Sequence, residues 1–181
     1  ILKDGVRTKD NAQLQLKVVT RKNSDYEAVL KSLVGQWREL GVKVDSQSLD
    51  PSTFTQDVLQ SRTFDVLVDE LVIGGDPDVF AYWHSLGRQN FSGYDNQLSD
   101  DALASARMRS DPALRAVKYT AFAKQWLADV PAIGLYQPNL VYVHTKNSQT
   151  IEPDEKVVTT DDHYANVRYW TAEKGSVFKT P

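Results

Sequence analysis

The chain contains no cysteine, which excludes disulfide staples and thiolate metal sites. That absence does not fix the compartment, because an oxidising exterior also disfavours an unpaired thiol. No apolar run approaches the roughly 20 residues of a membrane-spanning helix. There is no excess of either charge. Lys and Arg number 21 against 24 Asp and Glu, a net charge of −3, so the chain carries no electrostatic footprint for nucleic acid or an anionic membrane. No signal peptide opens the chain and Ile1 stands where an initiator methionine would, so an excised or processed piece is expected. Repeats and low-complexity tracts are also missing. What is present is an ordinary apolar fraction, 41% of 181 residues, enough for one domain with a substantial core.

Residues 1–13 are polar and are expected to form an irregular leading loop. Leu14, Leu16 and Val18 then alternate with Gln13, Gln15 and Lys17, the period of a half-buried strand. Ser24 and Glu27 have the spacing of a capping box. The helix behind them sets Tyr26, Val29, Leu30, Leu33, Val34, Trp37 and Leu40 on one stripe. Gly41 supplies a left-handed stop, and Val42 and Val44 begin a second strand. Asp50-Pro51 opens a second helix, with Phe54, Val58 and Leu59 as its inner face.

Phe64 to Ile73 is a dense apolar run interrupted by Asp65, Asp69 and Glu70. Its density predicts a strand covered on both faces, as in a parallel sheet. Strand–helix–strand–helix–strand is the order of an α/β layered fold with right-handed parallel crossovers.

Further on, Ser99 is expected to cap a helix running to about Ser110, with Leu98 stapled onto Leu103. Asp111-Pro112 starts another helix to about Asp129, carrying Leu114, Val117, Phe122 and Trp126. PAIGLYQ, LVYVHT and YANVRYW are strand candidates. Residues 146–162 read as a polar loop, and residues 146–181 together as a partly irregular tail. No clear domain boundary divides residues 1–181.

Candidate chemistry is sparse. His84, His144 and His163 show no metal-ligand spacing and no triad-like neighbours, so surface or structural roles are expected. Catalytic and metal residues are expected to be absent, as are cofactors. Asp100-Asp101 fits the acidic preference of a helix's first turn, and Asp161-Asp162 a solvated loop. Asp69 and Glu70 differ, because they interrupt a strand that otherwise reads as buried, and a buried carboxylate needs a partner or water. Open α/β sheets bind ligands at the carboxyl ends of their strands. Either one of the two faces a cleft, or a salt bridge to a Lys or Arg at the sheet edge accounts for them. Gly74-Gly75 permits close backbone approach by a ligand. Asp76 reads as the N-cap of the helix that follows, which argues against an anion site, and the spacing is not that of a P-loop. Phe80, Tyr82, Trp83, Phe91 and Tyr94 form an aromatic patch, mostly core, with one or two residues available to line a pocket.

Taken in order, LQLKVVT, the helix end QWRELGVKV, the strand FDV, the turn GGDPDVF, the loop NFSGYDN, the helices SDDALASAR and DPALRAVKYTAF, and PAIGLYQ resemble the C-terminal lobe of bacterial extracellular solute-binding proteins of family 5, the peptide, oligopeptide and nickel receptors of ABC importers. The match runs over nearly the whole chain. It implies a periplasmic-binding-protein type II lobe, α/β, with a mixed, mostly parallel sheet flanked by helices. It also implies an extracytoplasmic location, in the periplasm or as a cell-surface lipoprotein. The implied partners are a peptide or other small solute, the membrane permease and the receptor's own N-terminal lobe, with no nucleic acid. Hinge strands would enter near residues 1–13 and leave after 131–145.

The ligand-binding residues implied are Asp69, Glu70, Leu71, Val72, Ile73 and Gly74. Peptide-binding members commonly carry an Asp two residues before the Gly-Asp-Pro turn, to pair with a peptide's α-amine. Here Ile73 holds that position, and Glu70 holds that of a frequent aromatic. The usual amine anchor is absent unless Glu70 or Asp69 substitutes, which leaves room for a differently anchored solute, such as a sugar oligomer or a peptide held through its backbone. The alternatives are a sensor or interaction domain that keeps the receptor fold without transport, and a small α/β hydrolase. The hydrolase would need a nucleophile motif that the chain lacks.

Overall fold

The computed structural model describes residues 1–146, 157 and 159–171. The tail from 147 is therefore mostly outside the described residues, as are the side chains of Leu59 and His163. Within them the chain is α/β, with a parallel sheet flanked by helices.

The leading residues are not an irregular loop. Three short strands, β1 (Leu2–Lys3), β2 (Val6–Lys9) and β3 (Ala12–Gln13), form an antiparallel meander. Two-residue turns join them: Asp4-Gly5 at φ 51° and 78°, and Asp10-Asn11 at φ 49° and 64°. Both central residues at positive φ is the requirement of a type I′ hairpin, and Asp, Asn and Gly tolerate it best. The signal was Asp-Gly and Asp-Asn flanked by strand-length segments.

The parallel sheet has the order β5-β4-β6, from β4 (Gln15–Arg21), β5 (Lys43–Leu49) and β6 (Val66–Val68). On one face α1 (Ser24–Glu39) packs Leu30 and Val34 against Val18, Val44 and Val68. On the other, α2 (Pro51–Phe54), continued by a π-helical turn over Thr55–Gln60, packs Phe54 and Val58 against Val19. Successive strand residues face opposite sides, so Val18 and Val19 serve separate cores. Both are essentially inaccessible to solvent, which accounts for a β4 that is apolar on two faces.

The expected capping box at α1 is replaced. Asn23 is the N-cap and accepts from the Asp25 N–H at 2.9 Å, while Glu27 accepts from the Ser48 hydroxyl at 2.6 Å. At the other end the Val42 N–H reaches the Trp37 carbonyl and the Gly41 N–H the Arg38 carbonyl, both at 2.9 Å. With Gly41 at φ 80° this is a Schellman stop. The Arg7 N–H then bonds the Gly41 carbonyl at 2.8 Å, tying the meander to the helix end.

The strand read from Phe64 to Ile73 is three residues long and lies at the sheet edge. Asp65 closes its start by accepting the Lys17 N–H at 2.7 Å. Its end is set by β4, which stops at Arg21 before α1 begins. A strand needs a partner for its backbone groups, and beyond Val68 there is none among the described residues. Leu71, Val72 and Ile73 are exposed, where a doubly covered strand predicted burial.

A second core is helical. Short α3 (Phe80–Trp83), α4 (Gln97–Arg107) and α5 (Pro112–Asp129) bury Val79, Trp83, Tyr94, Leu103, Tyr119 and Phe122 together. Two starts differ from expectation. Asp78, not Asp76, caps the turn into α3 by accepting the Phe80 N–H at 3.2 Å. Asn96, not Ser99, caps α4 through the N–H groups of Leu98 and Ser99, and Leu98 is exposed rather than stapled. Asp111 caps α5 as its Asp-Pro spacing predicts, but the buried stripe is Tyr119 and Phe122, with Leu114 and Val117 exposed.

PAIGLYQ and LVYVHT form no strands, and Ile133, Leu135, Tyr136, Leu140, Val141 and Val143 are largely exposed. YANVRYW is two 3-10 turns, Asp162–Tyr164 and Val167–Tyr169, with Tyr164 stacked on Trp170 at 5.6 Å. Asp162 is not simply solvated: its carboxylate accepts the Thr159 N–H at 2.6 Å.

Candidate functional site

The carboxyl ends of β4 and β6 meet at one corner of the sheet, where Arg21 ends one strand and Asp69 follows the other. Parallel register puts Thr20 beside Val68, and the Thr20 hydroxyl bonds the Val68 carbonyl at 2.8 Å. Arg21 and Asp69 are thereby brought side by side. The guanidinium donates to one Asp69 oxygen through Nε at 3.1 Å and Nη2 at 2.7 Å. Side-chain exposure is 42% for Arg21 and 16% for Asp69, so the pair faces solvent from the arginine side. Arg21 also lies over the rings of Tyr26 and Phe54, 5.5 and 5.6 Å from their centroids. Burial pulls its pKa down, but the hydrogen bond and charge of Asp69 outweigh that and hold it above the ordinary arginine value.

Glu70 is exposed and accepts the Tyr26 hydroxyl at 2.5 Å. That bond, with burial and the carboxylate's charge, pushes the Tyr26 phenol up to about 12. Lys22, next to Arg21 in the chain, pairs with Asp50 at 3.2 Å. The salt-bridge alternative therefore describes Asp69, and a tyrosine hydroxyl, rather than a cation, meets Glu70.

From Glu70 to Asp76 the chain is exposed, and no backbone N–H there has a backbone partner among the described residues. Midway along this segment, the Tyr82 hydroxyl donates to the Val72 carbonyl at 3.4 Å. Two ion pairs hold its far end against the helical core, Asp76 with Arg115 and Asp78 with Arg107, each at 2.8 Å. Arg107 also covers the Phe80 ring at 4.0 Å. Gly74 and Gly75 have open space where a Cβ would stand, so nothing among the described residues requires glycine there.

Asp69, Glu70, Leu71, Val72, Ile73 and Gly74 thus lie on one exposed segment. Sequence reasoning did not single out Arg21, Tyr26, Arg107 and Arg115, the residues that fix it. Tyr26 and Arg21 are more than 40 residues from their partners, and no local spacing encodes such pairs.

A second polar cluster is structural. Asp100, buried against α3, accepts the Ser85 N–H at 2.9 Å and the Ser85 hydroxyl, more than the first-turn role expected of it. His84 lies 3.7 Å from the same carboxylate, but its Nδ1 accepts the Leu86 N–H at 3.0 Å. Serine therefore donates to aspartate rather than to histidine, which is not the order of a nucleophilic triad. Among the described residues no three of His, Asp or Glu gather as metal-ion donors, and no helix is long and apolar enough to cross a membrane. The NFSGYDN loop is held by Asn90 and Tyr94. The Tyr94 hydroxyl donates to Asp129 at 2.7 Å, and Asn90 carries bonds to His84, Ser92 and Tyr94. Tyr94 is packing, as the sequence predicts.

No family model and no curated protein sequence matches the chain. Solved structures do. The oligopeptide-binding protein AppA from Bacillus subtilis, in complex with a nonapeptide, aligns at 21% identity and a TM-score of 0.63, over 71% of this chain and 26% of that one. NikZ from Campylobacter jejuni, in complex with Ni(L-His), aligns at 22% and 0.62, over 71% and 27%. The ABC transporter substrate-binding protein CtaP from Listeria monocytogenes aligns at 25% and 0.56, over 64% and 24%. The chain spans about a quarter of the length of these proteins, and the shared fold is that of part of a solute-binding protein.

Proposed function

We propose, from the fold shared with solute-binding proteins, that this chain is the C-terminal lobe of the binding component of an ABC importer. Residues 1–181 act as one domain and supply one wall of a cleft, with the receptor's N-terminal lobe supplying the other. A peptide or similar small solute lies between them and is delivered to a membrane permease. The location is extracytoplasmic, in the periplasm or on the cell surface as a lipoprotein. The lobe itself does no covalent chemistry and needs no cofactor.

One observation carries this reading: the segment 69–74 at the carboxyl end of a parallel sheet, exposed from Glu70 on and without a backbone–backbone hydrogen bond from 70 to 74 among the described residues. Buried backbone groups find partners in nearly every case, so a segment whose backbone is left to solvent is suited to a partner that arrives later. Residues 131–143 support the same reading. Their large apolar side chains are mostly exposed, which fits strands whose sheet belongs to another lobe.

The mechanism is closure. Each wall alone contacts half of the solute, and closure adds the other half while excluding water. A solute shifts the open–closed equilibrium only by its differential affinity for the closed form. This chain alone should accordingly bind solute weakly, and a titration calorimetry trace showing tight binding by it alone would contradict the two-wall arrangement. The direct test is native mass spectrometry of the full-length protein purified without refolding. A co-purified small molecule is the expected result. A bare protein that also gives no heat with a peptide mixture would defeat the reading.

A further inference from the structure

The segment that carries the candidate site contains four acidic residues between 69 and 78, and each already has a partner within the chain. Asp69 is held by Arg21, Asp76 by Arg115 and Asp78 by Arg107, at 2.7, 2.8 and 2.8 Å. Glu70 takes the Tyr26 hydroxyl. Between these tied points stand three consecutive aliphatic side chains, Leu71, Val72 and Ile73, with 37%, 67% and 46% of their surface exposed.

We propose that the group a solute presents to this face is uncharged and aliphatic, an amide-linked chain bearing leucine- or valine-like side chains, and that no cationic amine is anchored here. This rests on the solute-binding reading above and names the chemistry of that same site.

The argument is one of charge complementarity and desolvation. The three aspartates are each already paired with an arginine, whose charge opposes an incoming cationic amine, and Glu70 already accepts the Tyr26 hydroxyl through one of its oxygens. An amine docked here would also lose its hydration. An aliphatic side chain displaces nothing. It covers three side chains that water now touches, and apolar burial is favourable in proportion to the area covered. The flanking ion pairs offset the charges of Asp69, Asp76 and Asp78, which leaves Glu70 as the acid of the segment that meets a hydroxyl instead of an arginine among the described residues. The Tyr26 phenol, raised well above neutral pH by its bond to Glu70, keeps that donor in place across the physiological range.

The test uses the full-length receptor and four probes in titration calorimetry: trileucine, N-acetyl-trileucine amide, triglycine and trilysine. Blocking the amine should change the trileucine dissociation constant by no more than about threefold, the scale of an exposed charge contact. Triglycine should bind at least about tenfold more weakly than trileucine, as loss of aliphatic groups from a binding face implies. Trilysine should not exceed trileucine. Glu70→Gln should leave the ratio of free to acetylated trileucine unchanged, and Leu71→Ser/Val72→Ser should erase the preference for leucine over glycine, with circular dichroism confirming that both variants fold. Loss of binding on acetylation, or loss of free-amine binding in Glu70→Gln, would overturn the proposal while leaving the receptor reading intact. Failure of all four probes to bind would instead count against the receptor reading, and this proposal would fall with it.

Discussion

Arg21 and Asp69 are 48 residues apart in the chain and 2.7 Å apart in space, one at the end of the central strand and the other just past the edge strand. The bond closes the corner of the sheet from which the candidate binding segment departs. Both strands must be in register for it to form, so the pair reports on tertiary structure rather than on local sequence.

Arg21→Ala leaves Asp69 largely covered without its cation. The pair is partly solvated, so its worth is below that of a buried pair. A loss of about 1–2 kcal/mol is expected, in the range of hydrogen bonds to charged groups. Urea unfolding should show a lower midpoint with an unchanged slope. A midpoint equal to wild type would mean that water replaces the guanidinium at no cost.

Tyr26 makes the protein sensitive to alkali. Its folded pKa is pushed up to about 12 by the bond to Glu70, with burial second, whereas the unfolded phenol titrates near its ordinary value of about 10. The folded state therefore holds the proton more tightly. The stability this contributes is fully present below about pH 10, and it declines as pH rises toward about 12. Tyr26→Phe should flatten that part of the stability curve, and phenolate absorbance in the folded protein should lack one early-titrating tyrosine relative to the unfolded chain.

Gly41 serves two demands at once. It sits at φ 80°, and a Cβ there would stand 2.9 Å from Leu2 Cδ1, 3.1 Å from Arg7 Cγ and 3.3 Å from the Gly5 carbonyl. Gly41→Ala should cost about 1–3 kcal/mol from backbone strain and crowding together. Part of that is recoverable in a Leu2→Ala background, because the closest neighbour is a flexible side chain. Equal losses in both backgrounds would assign the whole effect to the backbone.

Asn90, 2% exposed, bonds the carbonyls of His84 and Tyr94 and the N–H of Tyr94. Asn90→Ala leaves the Tyr94 carbonyl without its partner, while the His84 carbonyl keeps the Gly87 N–H and the Tyr94 N–H keeps the Ser92 hydroxyl. At roughly 1–3 kcal/mol for a buried unsatisfied group, with two further bonds lost, a loss of about 2 kcal/mol is expected. Hydrogen exchange should localise it to the 84–96 loop and the start of α4. Uniform exchange across the chain would show that the loop does not open on its own.

The alternation of Leu14, Leu16 and Val18, the stripe from Val29 to Trp37 and the stop at Gly41 are local patterns, and each produced the element it announced. Helix starts were placed within a few residues, but the capping residue was displaced at three of them. Asn23, Asn96 and Asp78 lie within three residues of the side chains first favoured, and a polar run offers several caps of similar strength. The hairpins at Asp4-Gly5 and Asp10-Asn11 were legible in turn chemistry, and the shortness of their strands hid them. Of the candidate site, the exposed segment was visible as an interruption of an apolar run, but its partners were not.

The sequence by itself determined which stretches are helix, which are extended, and where each begins to turn, because propensity, period and capping act within a few residues. The tertiary structure decided which extended stretches became strands. Val66–Val68 pairs because β4 runs beside it, while 69–73 and 131–143, which also carry aliphatic residues, have no strand beside them among the described residues. It also decided that the acids of the exposed segment are held internally, since an ion pair depends on two side chains meeting in space, and no spacing along the chain prescribes that meeting.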